Sequence, residues 1–305
     1  MTQSLPFLSV IIPTRNRAAL LRDCIESLLA QEFPADLYEI IVVDDGSMDK
    51  TPHVVADIGS RIENPTLRYL RPEVRGLNVA RNAGLKAAVG DPVVLVDDDI
   101  SAPKTWLRAF ALGSLRYPEA GCLGGPVRLQ LEGKPPRLCQ RDPLGESQLD
   151  LGDSDKAVEL VCGANMAVRK AAVERVGTFA EVLSGIGDEI EWEIRLTEAG
   201  GRIVYLPEAW LWHRRTAEAL RFRHLVKTRF RRGIETVRYA KFRGEHLSLW
   251  RECMLIPRFL AHAALRRCVG GLLSASAAAG RVWALVRERR VNRRQALVSS
   301  WKRLG

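Results

Sequence analysis

Three adjacent carboxylates, Asp97, Asp98 and Asp99, end an apolar run of strand type over residues 93–96. These side chains repel one another, and a stable core does not bury all three without compensation. A divalent cation would compensate them, because Mg²⁺ and Mn²⁺ prefer hard oxygen ligands. A neighbouring basic cluster or a solvated turn would also account for them. The position favours a ligand site, because open α/β sheets bind ligands outside the carboxyl ends of their strands.

A second acidic pair, Asp44-Asp45, follows the apolar stretch over residues 39–43. The carboxyl ends of parallel strands meet at one edge of a sheet, so the two acidic groups are expected to lie together. One acidic strand end is often a helix cap, whereas two on one edge are more typical of a binding crevice. The spacing therefore predicts a ligand crevice at this edge.

These carboxylates need a framework of strands and helices, and the hydrophobic periodicity predicts one. Pro13 is expected to end the first strand, and Thr51 before Pro52 is expected to cap a helix. The alternation predicts an α/β fold with a mostly parallel sheet flanked by helices, and a long loop over residues 132–157. The predicted strands are 8–12, 39–43, 67–70, 93–96, 121–131 with an interruption at 124–126, and 203–206, and the predicted helices are 18–31, one from Thr51, 76–88, 103–116 and 185–196.

Glycine-rich phosphate loops are missing from the sequence. Neither G-x-G-x-x-G nor G-x-x-x-x-G-K-[ST] follows the first strand, so dinucleotide-binding and P-loop proteins lose their main support. Any phosphate would have to be held by a metal and by basic groups such as Arg81.

The net charge of +10 comes entirely from the last third of the chain. Residues 1–213 contain 23 Lys and Arg against 31 Asp and Glu, whereas residues 214–305 contain 23 Lys and Arg against 5 Glu. A basic region implies an anionic partner such as lipid headgroups, nucleic acid or an acidic protein. We expect residues 214–305 to form basic helices that lie in the interface of an anionic membrane, with a soluble helical subdomain as the alternative.

The cysteines and the N-terminus are those expected of a cytoplasmic protein. No C-x-x-C pair occurs, so neither a zinc site nor a disulfide framework is indicated, and reduced thiols are expected. The N-terminus lacks a signal-peptide pattern, and no apolar run is expected to reach the length of a membrane span. The expected location is therefore cytoplasmic, peripheral on the cytoplasmic membrane face. The six cysteines are Cys24, Cys122, Cys139, Cys162, Cys253 and Cys268.

Three further side chains could do chemistry. Asp188 and Glu189 are predicted in the first turn of an acidic helix, where they either complement the positive helix end or supply a general base beside the metal site. His213 ends the acidic part of the chain, and a lone histidine is more often structural than a metal ligand.

Several stretches, in this order along residues 8–213, resemble the family 2 glycosyltransferases with the GT-A fold. This resemblance implies a nucleotide-sugar donor, a divalent metal, and transfer with inversion at the anomeric carbon. It also implies a GT-A domain over 1–213, with a donor half of about 1–100 and an acceptor half of about 101–213. The matching stretches are Val10 to Arg17, Val43 to Ser47 with Asp49 and Thr51, Ala80 to Gly84, Val96 to Asp99, Gly163 to Asn165, and Gly187 to Trp192.

By the same resemblance, individual residues acquire expected roles. The general base of the family is usually the aspartate of an E-D pair, and the order here is Asp188-Glu189. The base position falls on Glu189, and the choice between Glu189 and Asp188 stays open. Pro13, Thr14 and Arg15 would line the nucleoside pocket, Asp45 would contact the base, Arg81 the base or a phosphate, Asp98 the ribose, and Asp97, Asp99 and His213 would hold Mn²⁺ or Mg²⁺.

The expected function is metal-dependent inverting transfer, of hexosyltransferase type, from a nucleoside-diphosphate sugar to an acceptor hydroxyl. The acceptor would be a sugar or a lipid-linked sugar in cell-surface polysaccharide or glycolipid synthesis. A sugar-phosphate nucleotidyltransferase is one alternative, but residues 13–17 are not the glycine-rich basic loop usual in that class. A protein that binds nucleic acid through residues 214–305 is another, but that region has few regularly spaced aromatic residues.

Overall fold

The computed structural model describes residues 4–136, 138, 148–183 and 185–301. Cys139 and part of the predicted loop over residues 132–157, namely 137 and 139–147, lie outside the described residues. Within them the chain forms two compact units. Of the described residues, unit 1 contains those within 4–130 and 148–215, and unit 2 contains 131–136, 138 and 216–301.

Unit 1 is built on an eight-stranded sheet with the strand order β3-β2-β1-β4-β9-β6-β10-β8. Six of these strands run in one direction, and β9 and β8 run against them. The expectation of a mostly parallel sheet flanked by helices is therefore confirmed. The strands are β1 (Leu8–Thr14), β2 (Tyr38–Asp44), β3 (Thr66–Leu70), β4 (Val93–Val96), β5 (Ile100–Ser101), β6 (Ala120–Gly124), β7 (Val127–Leu131), β8 (Lys156–Val158), β9 (Asn165–Val168), β10 (Arg202–Tyr205) and β11 (Leu211–Arg215).

The first strand continues past the proline that was expected to end it. β1 pairs with β2 as far as Thr14, whereas its pairing with β4 stops at Ile11. Pro13, which has no N–H to donate, lies where one side of β1 has no paired strand, and a proline is tolerated there. The end of β1 therefore reaches the same edge as the acidic ends of β2 and β4.

Helices cover both faces of the sheet. The inward residues alternate along β1, with Val10 and Ile12 in one hydrophobic cluster and Ile11 in the other, as a central strand buried on both faces requires. Thr51 is not the cap that was expected: it is the first helical residue, and its N–H and hydroxyl both donate to Asp49 Oδ1. The helices of unit 1 are α1 (Ala18–Leu29), α2 (Thr51–Gly59), α3 (Leu77–Ala87), α4 (Trp106–Arg116), α5 (Lys170–Val176) and α6 (Ile190–Glu198).

The stretch over residues 121–131 was predicted as one interrupted strand, and it divides between two sheets. β6 belongs to the large sheet, while β7 joins a three-stranded sheet with the order β5-β11-β7. In the small sheet β11 pairs antiparallel with β5, so that His213 lies opposite Ile100. This register brings His213 to the residue that follows Asp99.

Unit 2 contains three helices, α7 (Phe222–Phe242), α8 (Leu249–Arg266) and α9 (Val269–Trp301). α9 packs against both α7 and α8. Val269–Arg289 is long and apolar enough to cross a membrane by length and composition, so the expectation that no run reaches that length was wrong. The same criterion is met by core helices of soluble proteins, and 39% of the tested window is buried inside the protein.

Candidate active site

The acidic strand ends meet at one edge of the sheet because β2, β1 and β4 are parallel neighbours. Asp45 follows β2, and its N–H donates to the carbonyl of Thr14 at 2.9 Å. The hydroxyl of Thr14 in turn donates to Asp98 Oδ2 at 2.7 Å. The last residue of β1 thus links the two acidic groups, which lie together as the spacing indicated.

Two of the three adjacent carboxylates lie beside His213. Asp97, Asp99 and His213 each place one possible ligand atom within 4.8 Å of the other two. His213 Nε2 is 2.8 Å from Asp99 Oδ1 and 4.0 Å from Asp97 Oδ2. His213 Nδ1 is buried and has no hydrogen-bond partner among the described residues. Two carboxylate oxygens and an imidazole nitrogen form a donor set that suits Mn²⁺ or Mg²⁺, so the residues fit the expected metal.

Arginines also neutralise the acidic cluster. Arg17 Nη1 is 2.8 Å from Asp98 Oδ1 and 3.0 Å from Asp99 Oδ2, and Arg215 Nη1 is 3.4 Å from Asp99 Oδ2. Burial raises the pKa of Asp98 to about 6, although Arg17 acts in the opposite direction. At Asp99 burial also raises the pKa, but the charges of His213, Arg17 and Arg215 outweigh it and lower the pKa overall. Asp97, 33% exposed, is the most open of the three carboxylates.

Sequence reasoning missed both of these arginines as partners of the cluster. Arg17 lies in the loop after β1, and that strand is the direct neighbour of β4. Arg215 lies two residues beyond His213 in β11, and residues two apart point to the same face of a strand. The proximity of both arginines to the acidic cluster could be inferred once the strand order was known.

The residues expected around the nucleoside differ in how open they are. Arg15 Nη1 lies 3.3 Å from Asp45 Oδ2, and this pair is partly exposed. Asp45 Oδ1 accepts from the N–H of Gly76 at 2.7 Å. Pro13 and Thr14 are buried. Asp45 and Arg15 therefore have polar atoms that a ligand at this edge can reach, while Pro13 and Thr14 lie buried beneath them.

Asp44 differs from its neighbour, since its carboxylate is fully buried. Asp44 Oδ1 accepts from the N–H of Ser47 at 2.7 Å, and Oδ2 accepts from the hydroxyl of Tyr69 at 2.5 Å. The first acidic pair thus contains one turn-forming residue and one residue that faces the crevice.

Asp188 and Glu189 were expected in the first turn of α6. Instead they precede the helix, which begins at Ile190. Arg81 Nη1 donates to Asp188 Oδ2 at 2.7 Å, and both side chains are almost completely buried. Burial opposes ionisation of Asp188, but the charge of Arg81 outweighs it and lowers the pKa of Asp188. Arg81 was expected to contact the donor, and here its guanidinium is engaged by Asp188 and Asn78. Its donor contact stays a prediction.

Glu189 is the more accessible member of the pair. Its side chain is half-buried, and Glu189 Oε1 accepts from the N–H of Gly163 at 3.2 Å. A Cβ atom on Gly163 would lie 3.0 Å from Glu189 Cδ, so glycine permits this approach. Burial and the neighbouring Asp188 carboxylate raise the pKa of Glu189 well above its usual value. A carboxylate of raised pKa is a suitable general base.

The acid–base pair and the metal-ligand cluster lie in one site. β9 runs antiparallel to β4, with Asn165 opposite Val96, so the segment before β9 lies beside the residues after β4. Asp97 of the metal-ligand cluster acts on Arg81 together with Asp188 and Glu189: burial would lower the pKa of Arg81, but these three charges outweigh it and raise the pKa.

Asn165 itself is structural: its amide donates to the carbonyls of Pro126 and Ala209 and accepts from the indole of Trp106.

Glu193, one turn after Glu189, is a buried carboxyl that sequence reasoning passed over. Its Oε1 accepts from the N–H of Val161 at 2.8 Å, while Oε2 has no hydrogen-bond partner among the described residues. Burial raises the pKa of Glu193 to about 8. Glu193 is therefore protonated at neutral pH, and it holds the segment that leads to Gly163.

Replacing Glu193 by glutamine should stabilise the protein increasingly as the pH rises. The folded pKa lies above the unfolded value near 4.5, so ionisation of Glu193 penalises folding progressively between about pH 5 and 8. Glutamine keeps the acceptor for Val161 and cannot ionise. Melting temperatures across this pH range should show a gain for Glu193→Gln that grows with pH. A gain that is the same at every pH would contradict the buried protonated carboxyl.

Comparison with known proteins identifies the family. The family described as "Glycosyl transferase family 2" matches residues 9–177. Glycosyltransferase AglE of Haloferax volcanii is 29% identical over 233 residues, covering 76% of this chain and 74% of AglE. Pre-mycofactocin glycosyltransferase of Mycobacterium tuberculosis is 32% identical over 212 residues, covering 67% of this chain and 42% of that protein.

Solved glycosyltransferase structures have a similar fold. The mannosyltransferase PcManGT of Pyrobaculum calidifontis, solved with GDP-Man and Mn²⁺, superposes with a TM-score of 0.57 at 23% identity, over 97% of this chain and 81% of that one. At this identity the likeness establishes the fold, and the family match extends over more than half of the chain. The two together show that this chain belongs to glycosyltransferase family 2, with the GT-A fold.

Proposed function

We propose that this enzyme transfers a sugar, with inversion at the anomeric carbon, from a nucleoside-diphosphate donor to an acceptor hydroxyl. The observation that carries the proposal is the cluster of Asp97, Asp99 and His213 at the strand edge, in the same site as the Asp188–Glu189 pair. The cluster is suited to a cation that binds a diphosphate, and the pair is suited to accepting a proton. A DNA-binding role would leave both features without a use.

Asp97, Asp99 and His213 would hold Mn²⁺ or Mg²⁺. The metal would supply Lewis-acid stabilisation of the negative charge that the diphosphate gains when it leaves. Arg17 keeps Asp98 and Asp99 ionised and in place from the protein side. Asp97 is the most open of the three carboxylates, so it is the ligand most exposed to an arriving metal–nucleotide complex.

The donor crevice follows from the residues at the ends of β1 and β2. Arg15 and Asp45 would bind the base, with the planar guanidinium of Arg15 suited to stacking on it. Thr14 and Pro13 would form the floor of the pocket, and Asp98, held by Thr14 and Arg17, would face the ribose. Arg81 would act mainly through Asp188 and reach a phosphate only if that ion pair opened.

Glu189 is the proposed general base. Asp188 is engaged by Arg81, whereas Glu189 is more accessible and has a raised pKa. The acceptor oxygen forms a bond to the anomeric carbon while the bond from that carbon to the phosphate oxygen breaks. The bonding electrons leave with the nucleoside diphosphate, and the hydroxyl proton moves to Glu189. Attack opposite the leaving group inverts the anomeric carbon.

The C-terminal region is proposed to bring the enzyme to its acceptor. Residues 214–305 contain 23 Lys and Arg against 5 Glu, and this charge favours an anionic membrane surface. The acceptor would then be a lipid-linked sugar or another envelope component, with the enzyme peripheral on the cytoplasmic face. The sugar transferred is a hexose by resemblance to the family.

A thermal-shift screen with UDP, GDP, dTDP and CMP, each with and without Mn²⁺, tests the donor site. A ligand present at about 100 times its Kd stabilises the folded state by about 2.7 kcal/mol. With about 2.1 cal/mol/K of unfolding entropy per residue, this raises the melting temperature of a 305-residue chain by about 4 °C. We expect such a shift for one nucleoside diphosphate, and only with Mn²⁺. If the folded protein shows no shift with any nucleotide, the acidic crevice is not a donor site.

A further inference from the structure

The solvent-facing side of α8 is apolar. Trp250, Met254 and Leu265 are 74%, 53% and 84% exposed, and they share this side with other exposed small or apolar residues. The opposite side contains Glu252, which accepts from Arg281 of α9 at 2.7 Å. A surface helix of a soluble protein normally turns its apolar residues inward. The inner side of α8 also contains the half-buried Leu255, Ile256 and Phe259, so α8 is apolar on both sides and its outer apolar stripe is exposed. The other exposed residues are Cys253, Pro257, Leu260, Ala261 and Ala264.

The inner side of α8 is already used by α9. A Cβ atom on Gly271 of α9 would lie 2.6 Å from the carbonyl oxygen of Phe259 and 2.7 Å from the N atom of Ala263, both in α8. The helices therefore approach to backbone contact along this side. Rotation of α8 to bury its apolar stripe would break the close approach and the Glu252–Arg281 ion pair.

Basic residues flank the exposed stripe. Arg251 and Arg258 are exposed two helical turns apart, and Arg266 and Arg267 are exposed at the C-terminal end of α8. We propose that α8 is the membrane-binding element, lying in the interface of an anionic bilayer with Trp250, Met254 and Leu265 among the acyl chains and the arginines at the phosphates. The proposal rests on the membrane association included in the proposed function.

Other occupants of this face match only part of it. A nucleic acid or an acidic protein surface would match the arginines but would leave the apolar stripe in contact with polar groups. A second copy of this chain would cover the apolar stripe, but it would bring two strongly basic regions together. An anionic bilayer offers phosphate groups and hydrocarbon at the depths that a half-immersed helix requires.

Sedimentation with vesicles tests the assignment in the full chain. Wild type should bind vesicles of equimolar phosphatidylcholine and phosphatidylglycerol at low salt, and bind phosphatidylcholine alone weakly. The triple variant W250S/M254S/L265S should lose at least roughly tenfold in partitioning. The matched control V74S/V89S/V182S removes three apolar side chains of unit 1 that are 65–67% exposed, and it should bind like wild type.

A fluorophore on Cys253 gives a second measurement on the same face. Cys253 is exposed, and Cys139 and Cys162 would be replaced by serine to direct the label. An environment-sensitive dye should shift to shorter wavelength when anionic vesicles are added. A bound protein whose label stays in water would overturn the orientation of α8.

The outcomes separate this inference from the proposed function. If wild type binds anionic vesicles and the triple variant binds equally well, α8 is not the binding element, although membrane association stands. If wild type does not bind at all, both are overturned. Light scattering that shows a wild-type dimer and a monomeric triple variant would assign the stripe to a second copy. The nucleotide thermal shift should be the same in all variants, which reports on folding and on the donor site.

Discussion

Replacing Asp99 by asparagine is expected to abolish metal-dependent nucleotide binding and to lower turnover by on the order of 10³-fold. Asp99 lies 2.8 Å from His213 Nε2 and is one of only two carboxylates within the candidate metal cluster of the described residues. Asparagine keeps the size of the side chain and removes the charge that a hard cation requires. Mn²⁺ binding measured by calorimetry, with and without nucleoside diphosphate, gives a readout that does not depend on turnover.

A matched acidic residue provides the control for this variant. Asp57 is about half exposed and pairs with Arg22 and Arg61 at the surface, where ion pairs contribute little. Asp57→Asn should change neither metal binding nor turnover by more than about twofold. Asp97→Asn should resemble Asp99→Asn. Full metal binding in a folded Asp99→Asn protein would exclude Asp99 as a ligand and leave the neighbouring arginines as the only compensation for the cluster.

The parts of the fold that depend on local pattern could be predicted from the sequence. The apolar runs ending in Asp44 and in Asp97 form two parallel strands, one on each side of β1, and their shared edge followed from the geometry of such sheets. The division of residues 121–131 between two sheets could not be predicted, because it depends on which distant strands β6 and β7 pair with. The continuation of β1 through Pro13 also depends on pairing, since β4 stops before that residue.

The site shows the same limit. The proximity of His213 to Asp99 depends on the pairing of β11 with β5, between residues more than one hundred positions apart. The ion pair of Arg81 with Asp188 joins α3 to the residues before α6, and no local pattern marks it. The exposure of the apolar outer side of α8 was not predicted either, because periodicity does not show which side of a helix faces inward.

Replacing Glu189 by glutamine is expected to lower kcat by roughly 10³-fold, within the range that general-base catalysis contributes, and to leave donor affinity nearly unchanged. Glutamine cannot accept the acceptor proton, yet its amide oxygen still accepts from the N–H of Gly163. Because the pKa of Glu189 is raised, wild-type activity should fall as the pH drops through that raised value and protonates the base. Glu189→Asp should recover part of the activity, since it restores a carboxylate one methylene shorter.

Asp188→Asn distinguishes the two carboxylates. Removing this charge leaves Arg81 buried without its partner, a change that costs about 3–5 kcal/mol in comparable ion pairs, so the melting temperature should fall. It also removes the charge that raises the pKa of Glu189, so the acid limb of the rate profile should move to lower pH in the protein that remains folded. Loss of kcat in a fully stable Asp188→Asn protein, with Glu189→Gln active, would transfer the role of base to Asp188. The opposite pattern would assign the proton to Glu189 and leave Asp188 as the residue that holds Arg81 beneath the site.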